Sequence, residues 1–439
     1  MKTLPEKFIE RMRAELKDGF PAFLACYNEA PVRGLRVNTL RIDPEAFARV
    51  SPWELEPTGK LPEGFIVRGA ENVGRHPYHA AGLFYMQEPS AMSAIAAAPV
   101  DDSGMKVLDM CAAPGGKSGG VAARMKGKGI LVSNEIVPKR ALQLSYNLER
   151  LGVTNAAVIS AKPEDIAREL TGFFDVVLVD APCSGEGMFR KDDTAIAEWS
   201  PEHVKACALR QSLILESAEK CLAPGGALVY STCTFSHEEN EGVIEDFLNK
   251  HRDFSVEHME RLYPHTSCGE GHFVCRMRRE SVRPQASFEG FEPPRDRKLL
   301  PLVGSFVNDT LNNELPDGIV FRSWDTLRLV PKDMPAAVMK LRPYSVGTEL
   351  IELKKNRYEP THGFFMAALG QDYLRELEFE PDDPAIAAFL SGNTVPCPED
   401  WRGWSAVSVR AGEEAFPVGF GKAVDGVMKN HIPKGLYIN

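Results

Sequence analysis

Phe173-Phe174-Asp175-Val176-Val177-Leu178-Val179-Asp180-Ala181-Pro182-Cys183-Ser184-Gly185 is the stretch on which the fold turns. The run Phe173 to Val179 is apolar and β-branched over the length of a buried strand, and the acid, proline and glycine that follow end it. Comparable runs stand on either side, at Lys106 to Met110, Gly129 to Asn134, Ala156 to Ser160 and Ala227 to Tyr230. Between them lie helical patterns at Lys117 to Met125, Pro138 to Leu151, Pro163 to Leu170 and Pro201 to Leu222. Strands alternating with helices in this way predict βαβ units and a parallel sheet, and proline suits a first helical turn. A further helix is expected from His237 to Lys250, with Glu238, Glu239 and Glu241 in its first turn to favour the helix dipole.

The fold reading gives two cysteines a meaning. Cys183 follows one strand, and Ser231-Thr232-Cys233-Thr234 follows another. In open α/β sheets ligands sit outside the carboxyl ends of the strands, so two thiols delivered there face one substrate. A free cysteine is more often a small buried hydrophobe. That reading is kept for Cys26, Cys207, Cys221, Cys268, Cys275 and Cys397; strand-end placement reverses it for Cys183 and Cys233.

The first core strand runs into Asp109-Met110-Cys111-Ala112-Ala113-Pro114-Gly115-Gly116-Lys117-Ser118 and then into a helix. A glycine turn lets backbone approach a ligand, and the helix start offers free N–H groups. A phosphate-binding P-loop needs Gly-x-x-x-x-Gly-Lys-Ser, but its first glycine falls on Cys111. The competing reading is a nucleoside cofactor whose ribose hydroxyls meet an acid after the second strand, where Glu135 stands. The plainer role for Glu135 is an acid at a helix start. Ala112, Ala113 and Gly115 leave room for a bulky ligand.

Composition sets the outer bounds. With 439 residues the chain exceeds one compact core and suggests roughly three domains. No apolar stretch is long enough to span a bilayer, and Met1 to Phe20 lacks the apolar centre of a signal peptide, so the expected location is cytoplasmic, with no membrane partner. Nine cysteines without CxxC or CxxH pairs argue against a disulfide framework and a structural zinc site, so no metal is expected. A net charge of −10 speaks against nonspecific coating of nucleic acid. Basic residues still cluster at Arg276, Arg278, Arg279, Arg283, Arg295, Arg297 and Lys298, and at Lys354, Lys355 and Arg357; a solvated face is the plainer reading of either cluster alone. Ser281 to Lys298 reads as a linker.

Taken in order, the strings 111–118, 180–185 and 231–234 resemble the motifs of the RNA 5-methylcytosine methyltransferases of the Nol/Nop/Sun group. Arg36-Val37-Asn38-Thr39-Leu40 and Tyr85-Met86-Gln87-Glu88-Pro89-Ser90 are similar to the family's N-terminal elements. Met188-Phe189-Arg190-Lys191 and His237-Glu238-Glu239-Asn240-Glu241 are similar to its bacterial branch acting on 16S rRNA. Gly269 to Phe273 resembles the end of the catalytic domain, and Val418 to Lys422 with Lys429 to Gly435 resembles a PUA-like RNA-binding tail.

The resemblance implies an α/β fold with a Rossmann-like S-adenosylmethionine-dependent core, an N-terminal α+β extension and a PUA-like C-terminal region. The expected divisions are 1–100, 101–283, 284–370 and 371–439. It further implies methylation of cytosine carbon 5 in RNA, with 16S rRNA or the 30S subunit as partner; nothing in the sequence demands more than a monomer. Carbon 5 is a poor nucleophile, so a thiolate first adds to carbon 6. The resemblance gives that role to Cys233, assistance in release to Cys183, and the cytosine edge to Asp180. Cofactor contacts fall on Ala112, Ala113, Pro114, Gly115, Gly116, Lys117, Ser118, Glu135, Arg140 and Asp180. Lys117 and the nearby helix start are candidate electrostatic helpers for Cys233. The family's adenine-holding acid after the third strand is missing at Ser160-Ala161-Lys162-Pro163, which leaves Glu164, Asp165 or backbone for that task. The basic clusters near the linker become a candidate phosphate track. Rival readings are a tRNA substrate, a non-catalytic rRNA assembly factor and a P-loop nucleotide hydrolase.

Overall fold

The computed structural model describes residues 3–69, 71–280, 286–294, 299–355 and 357–438. After an N-terminal helix, Glu6–Leu16, come strands β1 (Gly34–Val37), β2 (Glu54–Pro57), β3 (Gly64–Arg68) and β4 (Phe84–Met86). They form an antiparallel sheet in the order β2-β3-β1-β4.

The core strands are β5 (Lys106–Asp109), β6 (Ile130–Asn134), β7 (Ala156–Ile159), β8 (Phe174–Asp180), β9 (Leu222–Thr232), β10 (Phe254–Leu262) and β11 (His272–Arg279). Beyond them lie β12 (Ile319–Ser323), β13 (Thr326–Val330), β14 (Ser345–Val346), β15 (Thr348–Leu353) and β16 (Tyr358–Pro360). The last group is β17 (Glu376–Phe379), β18 (Val395–Pro396), β19 (Gly403–Ala411), β20 (Glu414–Val424) and β21 (Val427–Asn430).

The core sheet runs β10-β11-β9-β8-β5-β6-β7-β14, parallel from β9 to β7. Chain order reverses between β5 and β8, the Rossmann-like switch point at which such sheets open a crevice. Alternate residues face opposite layers. Val177, Val179, Leu228 and Tyr230 pack with Ile166 and Leu215 from the helices Pro163–Glu169 and Pro201–Cys221. Val176, Leu178, Ala227 and Val229 pack with Val121 and Leu144 from Gly116–Met125 and Pro138–Arg150. Burial on both faces explains why these strands read as continuous apolar runs.

The helix expected from His237 begins at Glu241. Glu239 and Asn240 are fully buried, their side chains spent on neighbouring loops, so the backbone there is held out of the helix and Glu239 is no solvated first-turn acid. The middle strands form a sheet β12-β13-β15-β16, while β14 pairs with β7 through Ser345 and Val158. The C-terminal sheet is ordered β17-β19-β20-β21-β18 and shares one core with the N-terminal sheet, joining Leu35, Phe47 and Phe84 to Phe389, Val407 and Phe416. In the expected linker, Phe288 packs edge-on against Phe173, and Arg283, Arg295, Arg297 and Lys298 lie outside the described residues. No described helix is long and apolar enough to cross a membrane.

Candidate active site at neighbouring strand ends

Strands β8 and β9 are parallel neighbours in a register that sets Asp180 beside Ser231, so the two chains leave the sheet together. Ala181 N–H donates to the Ser231 carbonyl at 2.9 Å, and Gly187 N–H to the Cys233 carbonyl at 2.8 Å. The result is a Cys183 Sγ to Cys233 Sγ distance of 3.3 Å, with both residues partly accessible.

A buried carboxylate holds this pair in place. Glu239 accepts from Ser184 N–H at 2.8 Å and Gln211 Nε2 at 3.0 Å, and also from the Ser184 hydroxyl. Ser184 Oγ meets Thr234 Oγ1 at 2.9 Å, and Gln211 Nε2 also donates to the Pro182 carbonyl at 3.1 Å. Asn240 adds bonds to Thr232 and to the Thr234 carbonyl. Glu186, also buried, accepts from Arg11, Trp199 Nε1 and Phe235 N–H, tying the N-terminal helix to the same loops. Sequence reasoning missed Glu186 as a brace and put Glu239 at a helix start. Their spacing from the cysteines was the available signal, but their burial depends on packing from distant parts of the chain.

Asp180 ends β8 with its side chain about a third exposed. Its Oδ2 meets Lys117 Nζ at 2.7 Å and its Oδ1 accepts from Ser231 Oγ at 2.8 Å. Burial alone would raise this carboxyl; Lys117, the nearby His272 and the two hydrogen bonds overcome it and leave Asp180 below its ordinary range. The Cys183 thiol is pushed well above the usual value, first by its bond to Cys233, then by burial and the charge of its neighbours. Lys117 thus reaches the site, but its ammonium is committed to Asp180 rather than to a thiol. His272, enclosed at the start of β11 with Nε2 3.8 Å from Asp180 Oδ1, has no hydrogen-bond partner at either ring nitrogen among the described residues, and burial holds it down near a pKa of about 4.

Across the switch point lies the glycine turn. Gly115 adopts φ 113°, a left-handed conformation that glycine tolerates, and the helix starts at Gly116. Asn147 Nδ2 donates to the Pro114 carbonyl and Arg140 Nη2 to that of Ala113, so the turn hangs from the next helix. Ala112 is tied through its N–H to the Asn134 carbonyl. Ser118 is turned under the turn, its hydroxyl donating to Asp109 Oδ2 at 2.7 Å and meeting Ser133 Oγ at 2.9 Å. Asp109, which sequence reasoning did not single out, is fully buried, and its desolvated carboxyl rises to about 6.

Glu135 accepts from Val137 N–H at 2.9 Å and pairs with the exposed Arg140 at 3.3 Å, so it performs the helix-start task. Arg140 therefore holds the acid and the turn rather than standing in the crevice. After β7, Ala161 N–H donates to Asn134 Oδ1, Asp165 pairs with Arg168, and Glu164 is exposed.

Strands β5 and β8 thus end in Asp109 and Asp180, and Glu135 directly follows the last residue of β6 on the other side of β5. Carboxylates at this crevice suit ribose hydroxyls and a positively charged sulfonium, so the residues present fit S-adenosylmethionine. They oppose a triphosphate, and Lys117 is already paired, which removes the P-loop reading. Part of the expected phosphate track lies outside the described residues. Arg276 and Arg278 pair with Glu257, Arg279 with Glu219 and Asp253, Lys354 with Glu352 and Arg357 with Glu359, so these charges are matched locally.

Comparison with known proteins agrees along the chain. Residues 94–278 match the family model of the 16S rRNA methyltransferase RsmB/F, 4–89 that of the RsmF N-terminal domain and 376–438 that of the RsmF PUA domain. The ribosomal RNA small subunit methyltransferase F of Vibrio vulnificus (strain YJ016) is 33% identical over 466 residues, covering 99% of this chain and 97% of that protein. Its counterpart in Aeromonas salmonicida (strain A449) is 32% identical over 469 residues, with 99% and 97% covered. A solved methyltransferase homologue from Pyrococcus horikoshii is 26% identical with a TM-score of 0.55, covering 63% of this chain and 100% of its own. NSun6 from the same organism, 21% identical with a TM-score of 0.57 over 63% of this chain and 98% of its own, shares the fold.

Proposed function

The chain belongs to the family of ribosomal RNA small subunit methyltransferases F, which depend on S-adenosylmethionine, and from that membership we propose that it methylates carbon 5 of a cytosine in 16S rRNA. The observation that carries the cytosine chemistry is the pair of thiols 3.3 Å apart beside Asp180. One cysteine suffices for most thiol catalysis; addition to carbon 6 followed by elimination calls for a second proton-handling group.

When bound, S-adenosylmethionine supplies an electrophilic methyl group. The backbone from Ala112 to Gly116, Glu135 and Asp180 are the residues that hold it, with Lys117, Ser118 and Arg140 fixing them in place. Cys233 attacks carbon 6 as a thiolate, forming an Sγ–C6 bond and giving carbon 5 enamine character. Asp180, kept ionised by Lys117, accepts a hydrogen bond from the cytosine edge and stabilises the adduct by charge placed in advance. While Cys233 is free, its hydrogen bond and charge keep the proton on Cys183. Once Cys233 is bonded to carbon, that restraint is gone. Cys183 then gives its own proton to solvent and, as the thiolate, takes the proton of the methylated carbon 5 while the Sγ–C6 bond breaks, which returns Cys233 as a thiolate and restores the conjugation of the ring.

The base must leave its stack to expose carbon 6, a task for the N-terminal region 1–100 and the C-terminal regions 284–370 and 371–439 around the core 101–283. The enzyme is read as a cytoplasmic monomer acting on 16S rRNA, free or in the 30S subunit.

Replacing Cys233 by Ala is expected to abolish methyl transfer while thermal stabilisation by S-adenosylhomocysteine persists. Replacing Cys183 by Ala should trap a covalent protein–RNA adduct on a denaturing gel. Turnover by the Cys233 variant, or no adduct with the Cys183 variant, overturns the assignment. Bisulfite mapping of RNA from cells with and without the chain locates the base; protection lost only in tRNA would replace the substrate, and no transfer by the wild type would leave an assembly factor.

A further inference from the structure

A cavity of about 1210 Å³ opens between the middle region and the C-terminal sheet, and it shares no residue with the cysteine site. Six basic side chains line it against two acidic ones, in a chain whose net charge is −10. Four of the six are engaged: Lys354 with Glu352, Arg357 with Glu359, Arg402 with Asp425, and Arg375 with the Asp309 carbonyl. Lys422 and Lys429 have no carboxylate partner among the described residues, and both are exposed.

Their placement is costly. Lys422 on β20 stands directly opposite Lys429 on β21, and Trp404 on β19 stands directly opposite Lys422. Residues opposed in antiparallel strands share a face, so the three side chains form one row across the sheet. Like charges in such a pair repel. The row therefore has an unmet demand for an anion, and it sets that demand beside an aromatic surface. Lys422 Nζ lies 5.1 Å from the Trp404 ring centroid, and His431 meets the same ring edge-on at 4.8 Å. The floor is preformed, because Phe365 from the middle region stacks on Phe420 of β20 at 4.8 Å and 9° within a core common to both parts.

An aromatic platform with neighbouring cations is the pattern that takes unpaired nucleic acid, with bases on the ring and phosphates on the cations. We propose that this groove is a second RNA site, remote from the cysteines, that holds an unpaired stretch of the substrate with a base on Trp404 and phosphates on Lys422 and Lys429. The inference rests on the RNA-methyltransferase reading for its ligand, but it is tested by binding as well as by turnover.

The full chain is titrated with a single-stranded RNA oligonucleotide at several salt concentrations, and methyl transfer is followed on a 16S rRNA transcript. K422A/K429A is expected to weaken binding about tenfold and to lower the slope of log K against log salt by about 1.4, at roughly 0.7 per single-strand phosphate contact. W404A should weaken it about fivefold or more, while W404F retains most of the affinity. In turnover the lysine pair should raise KM for RNA and leave kcat at saturation unchanged, and K422R/K429R should restore both KM and the slope. Unchanged affinity and salt slope in K422A/K429A overturn the proposal, and so does equal loss of affinity in W404A and W404F. A wild type that binds the oligonucleotide through this row yet transfers no methyl group removes the catalytic reading and keeps the groove.

Discussion

His272 is enclosed beside Asp180 with neither ring nitrogen hydrogen-bonded among the described residues, and its pKa near 4 means that the folded chain holds it neutral at pH 7. Unfolding returns it to its ordinary value near 6.5, so between those two values the unfolded chain binds the extra proton. Stability from this group is therefore intact above about pH 6.5 and falls as pH drops toward 4. Between pH 7 and pH 5 the loss is on the order of 2 kcal/mol. Urea unfolding at the two pH values should show it in the wild type and not in His272→Gln; equal pH dependence in both proteins would mean that the ring titrates in the fold as it does in the unfolded chain. Residues of this kind were hard to read beforehand. Cys183, Cys233 and Lys117 stand in local strings whose strand context can be read along the chain. Glu239 and His272 take their character from burial against partners elsewhere in the chain, which no local pattern displays.

The turn after β8 works as a unit with the loop after β9. Gly187 donates its N–H to the Cys233 carbonyl at 2.8 Å, and a Cβ at this position would stand 2.9 Å from the Gly271 carbonyl oxygen and 3.0 Å from that of Cys233. Both obstacles are backbone, so an alanine cannot be met by a rotamer change and must move the loop that carries Cys233. A displacement of about 1 Å at a reacting atom can cost up to a hundredfold in rate. Gly187→Ala should therefore lower kcat by about tenfold or more while leaving S-adenosylhomocysteine affinity as it is. Unchanged kcat would show that the loop has slack. At this scale the sequence was most legible where one physical rule dominates. The parallel strands are buried on both faces and betray themselves as apolar runs. The helix after β9 is expected too early because Glu238 and Glu239 look like first-turn acids, and only the buried bonds of Glu239 and Asn240 show that the chain is held in a turn there before the helix begins.

At the scale of the molecule, the two ends of the chain close on each other. Leu35, Val37, Phe65 and Phe84 from the first sheet pack with Ile386, Phe389, Val409 and Phe416 from the last, so neither sheet has a private core. The resemblance implied an N-terminal α+β extension and a PUA-like C-terminal region but not their union, because a shared apolar face carries no local mark of its partner. One consequence concerns cooperativity. Phe389 is fully buried in this joint core, and its replacement by Ala should cost about 3–5 kcal/mol through lost contacts and the cavity left behind. If the joint core opens as one unit, that loss appears hundreds of residues away in sequence. Amides bonded across the first sheet, such as Val37 to the Glu63 carbonyl and Val67 to that of Arg33, should then exchange with solvent about a hundredfold to a few thousandfold faster, since 1.4 kcal/mol corresponds to tenfold. Hydrogen exchange on full-length Phe389→Ala measures this directly. Faster exchange confined to the C-terminal sheet would mean that the two sheets open separately, and the N-terminal region would then gain no stiffness from its contact with the C-terminal sheet.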